Sequence, residues 1–182
     1  MNRTLNPHPR LYIGKAEIER LRHTQSLPFL RESARSLAAD AEQYAAVPPL
    51  IYPHETHNAL LVRAKEVQTR VVTLLARWAQ TGEKRFRTAA IRHIRMLGEW
   101  EHWSWIAWRK GLSRPDALFD LSYGENSATL AIAYDWLYPT LTDAERALFI
   151  AIARRWSFKS GLKHVRPGGA GWFRRENSNW NT

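Results

Sequence analysis

Apolar residues recur along this chain at three- and four-residue spacing, and no stretch shows the sustained alternation of a half-buried strand. The clearest run is Leu60, Ala64, Val67, Val71, Leu74 and Trp78, which predicts one long amphipathic helix closed by Gly82. Phe86, Ala90, Ile94 and Leu97 mark its antiparallel partner, interrupted around Gly98 to Trp108. Upstream, an extended Pro7-His8-Pro9 segment leads into a short helix over Lys15–His23. Pro28 then opens a second helix that runs to about Ala46 and stops at Pro48-Pro49.

Downstream, Ser122-Tyr-Gly-Glu125 and Thr142-Asp-Ala-Glu145 both have the spacing of a capping box, in which a hydroxyl and a carboxylate exchange hydrogen bonds with the first-turn amides. Between them Ala128 to Tyr138 is apolar almost all round, which predicts a helix buried on most sides. Asp135 lies inside that run and needs a partner if buried; a salt bridge to an arginine is the expected one. The helix from Thr142 to about Lys159 is mixed and suits a solvent-facing position. The class is therefore all-α, one helical domain over residues 1–182; alternating buried and exposed helices in hairpins are what a toroid or solenoid requires, but no strict repeat marks one.

Composition narrows the possibilities. A chain of 182 residues with 45% hydrophobic content can build a real core and is not disordered by composition. No run is long enough to span a bilayer as a helix, so no membrane partner is expected, and the first residues carry no apolar signal segment. The absence of cysteine excludes disulfides and thiolate metal sites. His54 and His57 share a helix-like spacing, but Pro53 precedes them and no third ligand is near, so neither a metal nor any other cofactor is expected.

Charge points to partners. Twenty-seven Lys and Arg against 17 Asp and Glu give a net charge of +10. Arg154, Arg155, Lys159, Lys163, Arg166, Arg174 and Arg175 gather late in the chain. Such a surface favours a polyanion, either an acidic polysaccharide or nucleic acid, although arginine on solvated helix faces has the same look. Trp100-Glu-His-Trp-Ser-Trp-Ile-Ala-Trp108 holds four of the nine tryptophans. Trp103 and Trp105 could offer faces for sugar rings, with His102 and Glu101 as hydrogen-bonding neighbours; packing between helices is the alternative. Tyr123 and Glu125 open the buried helix and are substrate-contact candidates, Glu125 first of all as a cap. Arg166-Pro-Gly-Gly-Ala-Gly171 forms a glycine-rich loop without the strand or the Gly-Lys-Ser/Thr of a nucleotide-binding loop.

Three stretches carry a resemblance: His8-Pro-Arg-Leu-Tyr-Ile13 with Ala16-Glu-Ile-Glu-Arg-Leu-Arg22, then Leu130-Ala-Ile-Ala-Tyr-Asp-Trp-Leu-Tyr138 with Leu141-Thr-Asp-Ala-Glu-Arg146, and finally Asn177-Ser-Asn-Trp-Asn181. In that order they resemble the helical region of the heparinase II/III-like and alginate-lyase-like polysaccharide lyases. The resemblance implies part of an (α/α) toroid, cut short at the C-terminus, from a protein that cleaves a uronate polymer by β-elimination. It makes Asn179 and Asn181 the candidates for neutralising the substrate carboxylate, with Asn177, Trp180, Arg174 and Arg175 as binding residues. Helix capping is the alternative role for the asparagines. It also places the general base and acid beyond residue 182, so this piece alone is expected to be inactive. The rival reading is a non-catalytic helical-repeat module that binds nucleic acid or another polyanion.

Overall fold

The computed structural model describes residues 6–23, 28–51, 59–104 and 119–166, and these residues are helical, with no strand among them. In chain order the helices are α1 (Lys15–Leu21), α2 (Arg31–Ala46), α3 (Ala59–Thr81), α4 (Lys84–Glu99), α5 (Leu121–Leu137), α6 (Asp143–Ile152) and α7 (Lys159–Val165). A 3₁₀ turn, Pro28–Leu30, leads into α2, and a π-helical turn, Ala153–Phe158, joins α6 to α7 without a break.

Helix ends follow local chemistry. Gly82 stops α3 at φ 73, a conformation costly for any residue with a Cβ, and the next helix begins two residues later. The box at Thr142 forms as expected: its hydroxyl accepts from the Glu145 amide at 3.2 Å and its own amide donates to the Glu145 carboxylate at 2.9 Å. The box expected at Ser122 does not. Asp120 caps α5 instead, accepting from the Ser122 amide at 3.0 Å and from the Ser104 hydroxyl at 2.5 Å. Asp is as good an N-cap as Ser, and this one also fastens the segment after α4 to α5. Ser122 is buried within the first turn, and its hydroxyl finds no partner among the described residues.

Helix α3 is central and packs on α1, α2, α4 and α5. Its buried stripe, Val67, Val71, Leu74 and Leu75, meets Phe86, Ile94 and Leu97 of α4 in one core, to which Leu137, Phe149 and Trp156 contribute from later helices. Burial on most sides of α5 is borne out; Leu121, Gly124 and Ala131 are its exposed positions. Gly98 does not break α4. A Cβ there would sit 2.6 Å from the side chain of Ile152, so glycine permits the close approach of α4 and α6. Across the same junction Arg87 grips Glu145 through two nitrogens, at 3.0 and 2.6 Å, and also donates to the Thr140 carbonyl.

His93 is buried between α4 and α2, with one ring nitrogen 3.5 Å from the Tyr44 carbonyl and the other without a partner. Burial, aided by the Arg70 and Arg92 charges and only partly offset by the Tyr44 carbonyl, depresses its pKa to about 4. The unfolded chain therefore binds a proton that the folded one refuses. Stability is full above about pH 6.5 and declines as pH falls toward 4, by roughly 3 kcal/mol in total. His93→Gln flattens that decline, read as urea midpoints at pH 7 and pH 4.5. An unchanged pH slope counts against this assignment.

Candidate functional site

The segment before α1 is a strap laid along the second half of α5, and one carboxylate holds it there. Asp135, 2% exposed, accepts from the backbone amides of Arg10 at 2.7 Å and Leu11 at 2.8 Å, and pairs with His8 Nδ1. The arginine salt bridge expected for Asp135 is thus corrected: two amides and an imidazole take its place. The polar groups of an extended strap arrive as donors just where a buried carboxylate needs them. Burial pushes the Asp135 carboxyl up, but the Leu11 and Arg10 amides and the His8 ring outweigh it and hold the pKa below the usual value.

The His8 ring is fixed from other sides as well. It stacks on Tyr138 at 4.0 Å between centroids and meets Tyr134 edge-on at 6.3 Å, while Arg146 lies 4.7 Å from the Tyr138 ring. Trp136, next to Asp135, donates its indole N–H to the Leu11 carbonyl at 3.2 Å. With Nδ1 engaged by a carboxylate, Nε2 is the nitrogen left to face a ligand. This is the orienting half of an imidazole general-base arrangement, and equally a staple for the strap.

Two clefts flank the strap, and His8 and Arg10 line both. One, of about 920 Å³, lies toward α1 and the end of α3, where Tyr12, Lys15, Arg22 and Trp78 surround it. The other, of about 790 Å³, lies between α5 and the α6–π segment, with Tyr134, Tyr138, Arg154 and Phe158 on its walls. Around the second cleft, Leu11, Ile150 and Phe158 are exposed apolar residues, and Leu162 and Val165 continue that face along α7.

The residues predicted from the sequence fall elsewhere. Trp103 is fully buried, stacked on Trp156 with centroids 5.5 Å apart and planes 7° from parallel, and its indole N–H donates to the Leu97 carbonyl at 3.0 Å. Tyr123 is equally buried, 5.9 Å from Trp103 and stacked on Phe119 at 4.8 Å. Neither ring has a face to offer a sugar; the packing alternative describes Trp103, and Tyr123 packs beside it, because large aromatic surfaces are most favourable inside. His102 is 8% exposed, and burial lowers its pKa against the opposing pull of Glu101. Glu125 is half-buried with its carboxylate 3.9 Å from Lys65, and its carbonyl accepts from Thr129. Trp105, Arg174, Arg175, Asn177, Asn179, Trp180 and Asn181 lie outside the described residues, as do His54 and His57.

Among the described residues, no group of three His, Cys, Asp or Glu could hold a metal ion, and no helix is long and apolar enough to cross a membrane. Of the late basic residues, Arg154, Arg155, Lys159, Lys163 and Arg166 are exposed along the outer side of the π turn and α7. Fold and site together define an all-helical protein whose leading strap is pinned by a buried aspartate and bordered by two clefts. No protein-family model matches the chain, and no curated protein matches it.

Proposed function

We propose that the protein is the helical region of a polysaccharide-lyase-like protein, built as part of an (α/α) toroid and directed at a uronate-containing polymer. One observation carries this reading. Two of the three stretches that resemble that family, separated by more than a hundred residues, are joined through Asp135: His8, Arg10 and Leu11 on one side, Asp135 and Trp136 on the other. The two stretches therefore form one structural unit, which supports reading them together.

In β-elimination the carboxylate beside C5 must be neutralised so that the C5 proton becomes acidic. A base removes that proton, and an acid protonates the departing O4. Asn179 and Asn181 are the proposed carboxylate partners, since an amide can donate to the oxygen that gains charge. The test is ultraviolet absorbance during incubation with alginate, heparin, heparan sulfate and polygalacturonate. The natural protein that carries this region produces the rising signal of a new C=C bond with at least one of these polymers. Silence of the natural protein across that panel sinks the proposal.

A second reading, a non-catalytic polyanion-binding module, draws on the exposed row Arg155, Lys159, Lys163 and Arg166. It requires tight binding to nucleic acid that weakens steeply with salt.

A further inference from the structure

The strap contains a strained turn. The Ile13 amide donates to the Leu11 carbonyl at 2.7 Å, and Tyr12 between them has φ 64, the single positive φ of a non-glycine residue among those described. An aromatic residue in a three-residue turn of this hand is rare and unfavourable, and it persists only where its surroundings enforce it. Here both flanks of Leu11 are fixed, its amide by Asp135 and its carbonyl by the Trp136 indole. The strain gains no burial, since Tyr12 is 85% exposed. The contacts of Leu11 impose the turn but do not call for an aromatic ring at its tip, which turns attention to the cleft that Tyr12 borders.

That cleft combines aromatic faces with cations. Tyr12 stands at its edge, and half-buried Trp78 lines it; Arg10, Lys15 and Arg22 supply positive charge against one acid among the described residues, Glu19. Arg22 is already paired with Glu19 at 2.9 Å, and Arg10 spends one nitrogen on the Asn6 carbonyl at 2.9 Å. Lys15 has no ion-pair partner among the described residues. The free charge left over suits a single carboxylate better than a chain of phosphates.

We propose that this cleft binds a carboxylated, ring-bearing ligand of the uronic-acid oligosaccharide class, with Tyr12 as the stacking face and Lys15 and Arg10 on the carboxylate. The place and charge of the site come from the cleft; the choice of a sugar ring rests on the lyase-like reading above.

Calorimetric titration of the 182-residue chain with an alginate tetrasaccharide, a neutral cello-oligosaccharide and a thymidine oligonucleotide tests it. The alginate tetrasaccharide binds and the neutral sugar does not, and Tyr12→Gly and Lys15→Ala each weaken binding roughly tenfold or more. Tyr12→Gly removes the ring and the backbone strain together, so its melting temperature holds or rises while binding falls, which separates recognition from folding. Undiminished binding by Tyr12→Gly, equal binding of the neutral sugar, or no binding of the alginate tetrasaccharide overturns the proposal. Tighter, steeply salt-dependent binding of the oligonucleotide overturns it in favour of nucleic acid. Binding here without elimination by the natural gene product would sink the lyase reading and leave this site standing; elimination with Tyr12→Gly unimpaired would do the reverse.

Discussion

Asp135→Ala loses about 4 kcal/mol of unfolding free energy, measured by urea denaturation at neutral pH. The carboxylate is buried and accepts two backbone amides and the His8 imidazole, so its removal leaves those amides without acceptors and a gap between α5 and the strap. His8→Ala costs less, because the amides keep their acceptor. The double variant costs less than the sum of the two, since His8 and Asp135 share one interaction. The acid side behaves accordingly. Because the folded carboxyl titrates below its unfolded value, its contribution is complete above about pH 4 and is lost as pH falls further. A loss under about 1 kcal/mol for Asp135→Ala would mean that the strap is not integral to the fold.

Trp103→Ala is the second large effect, again about 4 kcal/mol. Its ring is buried against Trp156 and Tyr123, and its N–H satisfies a carbonyl at the end of α4. Truncation removes that area, the stack and the hydrogen bond together. Trp103→Phe restores part of the area but not the bond and falls between. A sugar platform would behave in the opposite way, losing oligosaccharide binding with little change in the urea midpoint.

Helices were legible because their signals are local. The period of α3 and α4, the glycine that ends α3, and the Thr142 box each depend on residues within a turn or two of one another. Asp135 shows where local reading stops. Its apolar neighbours announced that a partner was required, yet the partner stood 127 positions away, and backbone amides leave no mark in a sequence. For Trp103 the sequence left sugar platform and packing both open, since what decides between them, the Trp156 stack and the Ser104–Asp120 bond beside it, comes from residues far along the chain. Ser122 lost its capping role to a residue two places earlier that satisfies the same rule. Tyr12 left no sequence signal, because its position is imposed by contacts with α5.

The π turn at Ala153–Phe158 amounts to one residue more than an α-helix would use over the same rise. Each α-helical residue advances the side-chain direction by about 100°. Deleting a single residue within that turn would therefore let it close to regular α-helix and leave everything after it facing as it does now. Ser160 and His164 would stay inside, and Lys159 and Lys163 would stay exposed. A relative lacking the bulge would align to this chain only with a one-residue gap at this point, and an ungapped alignment would pair inward residues with outward ones for the remainder of the helix.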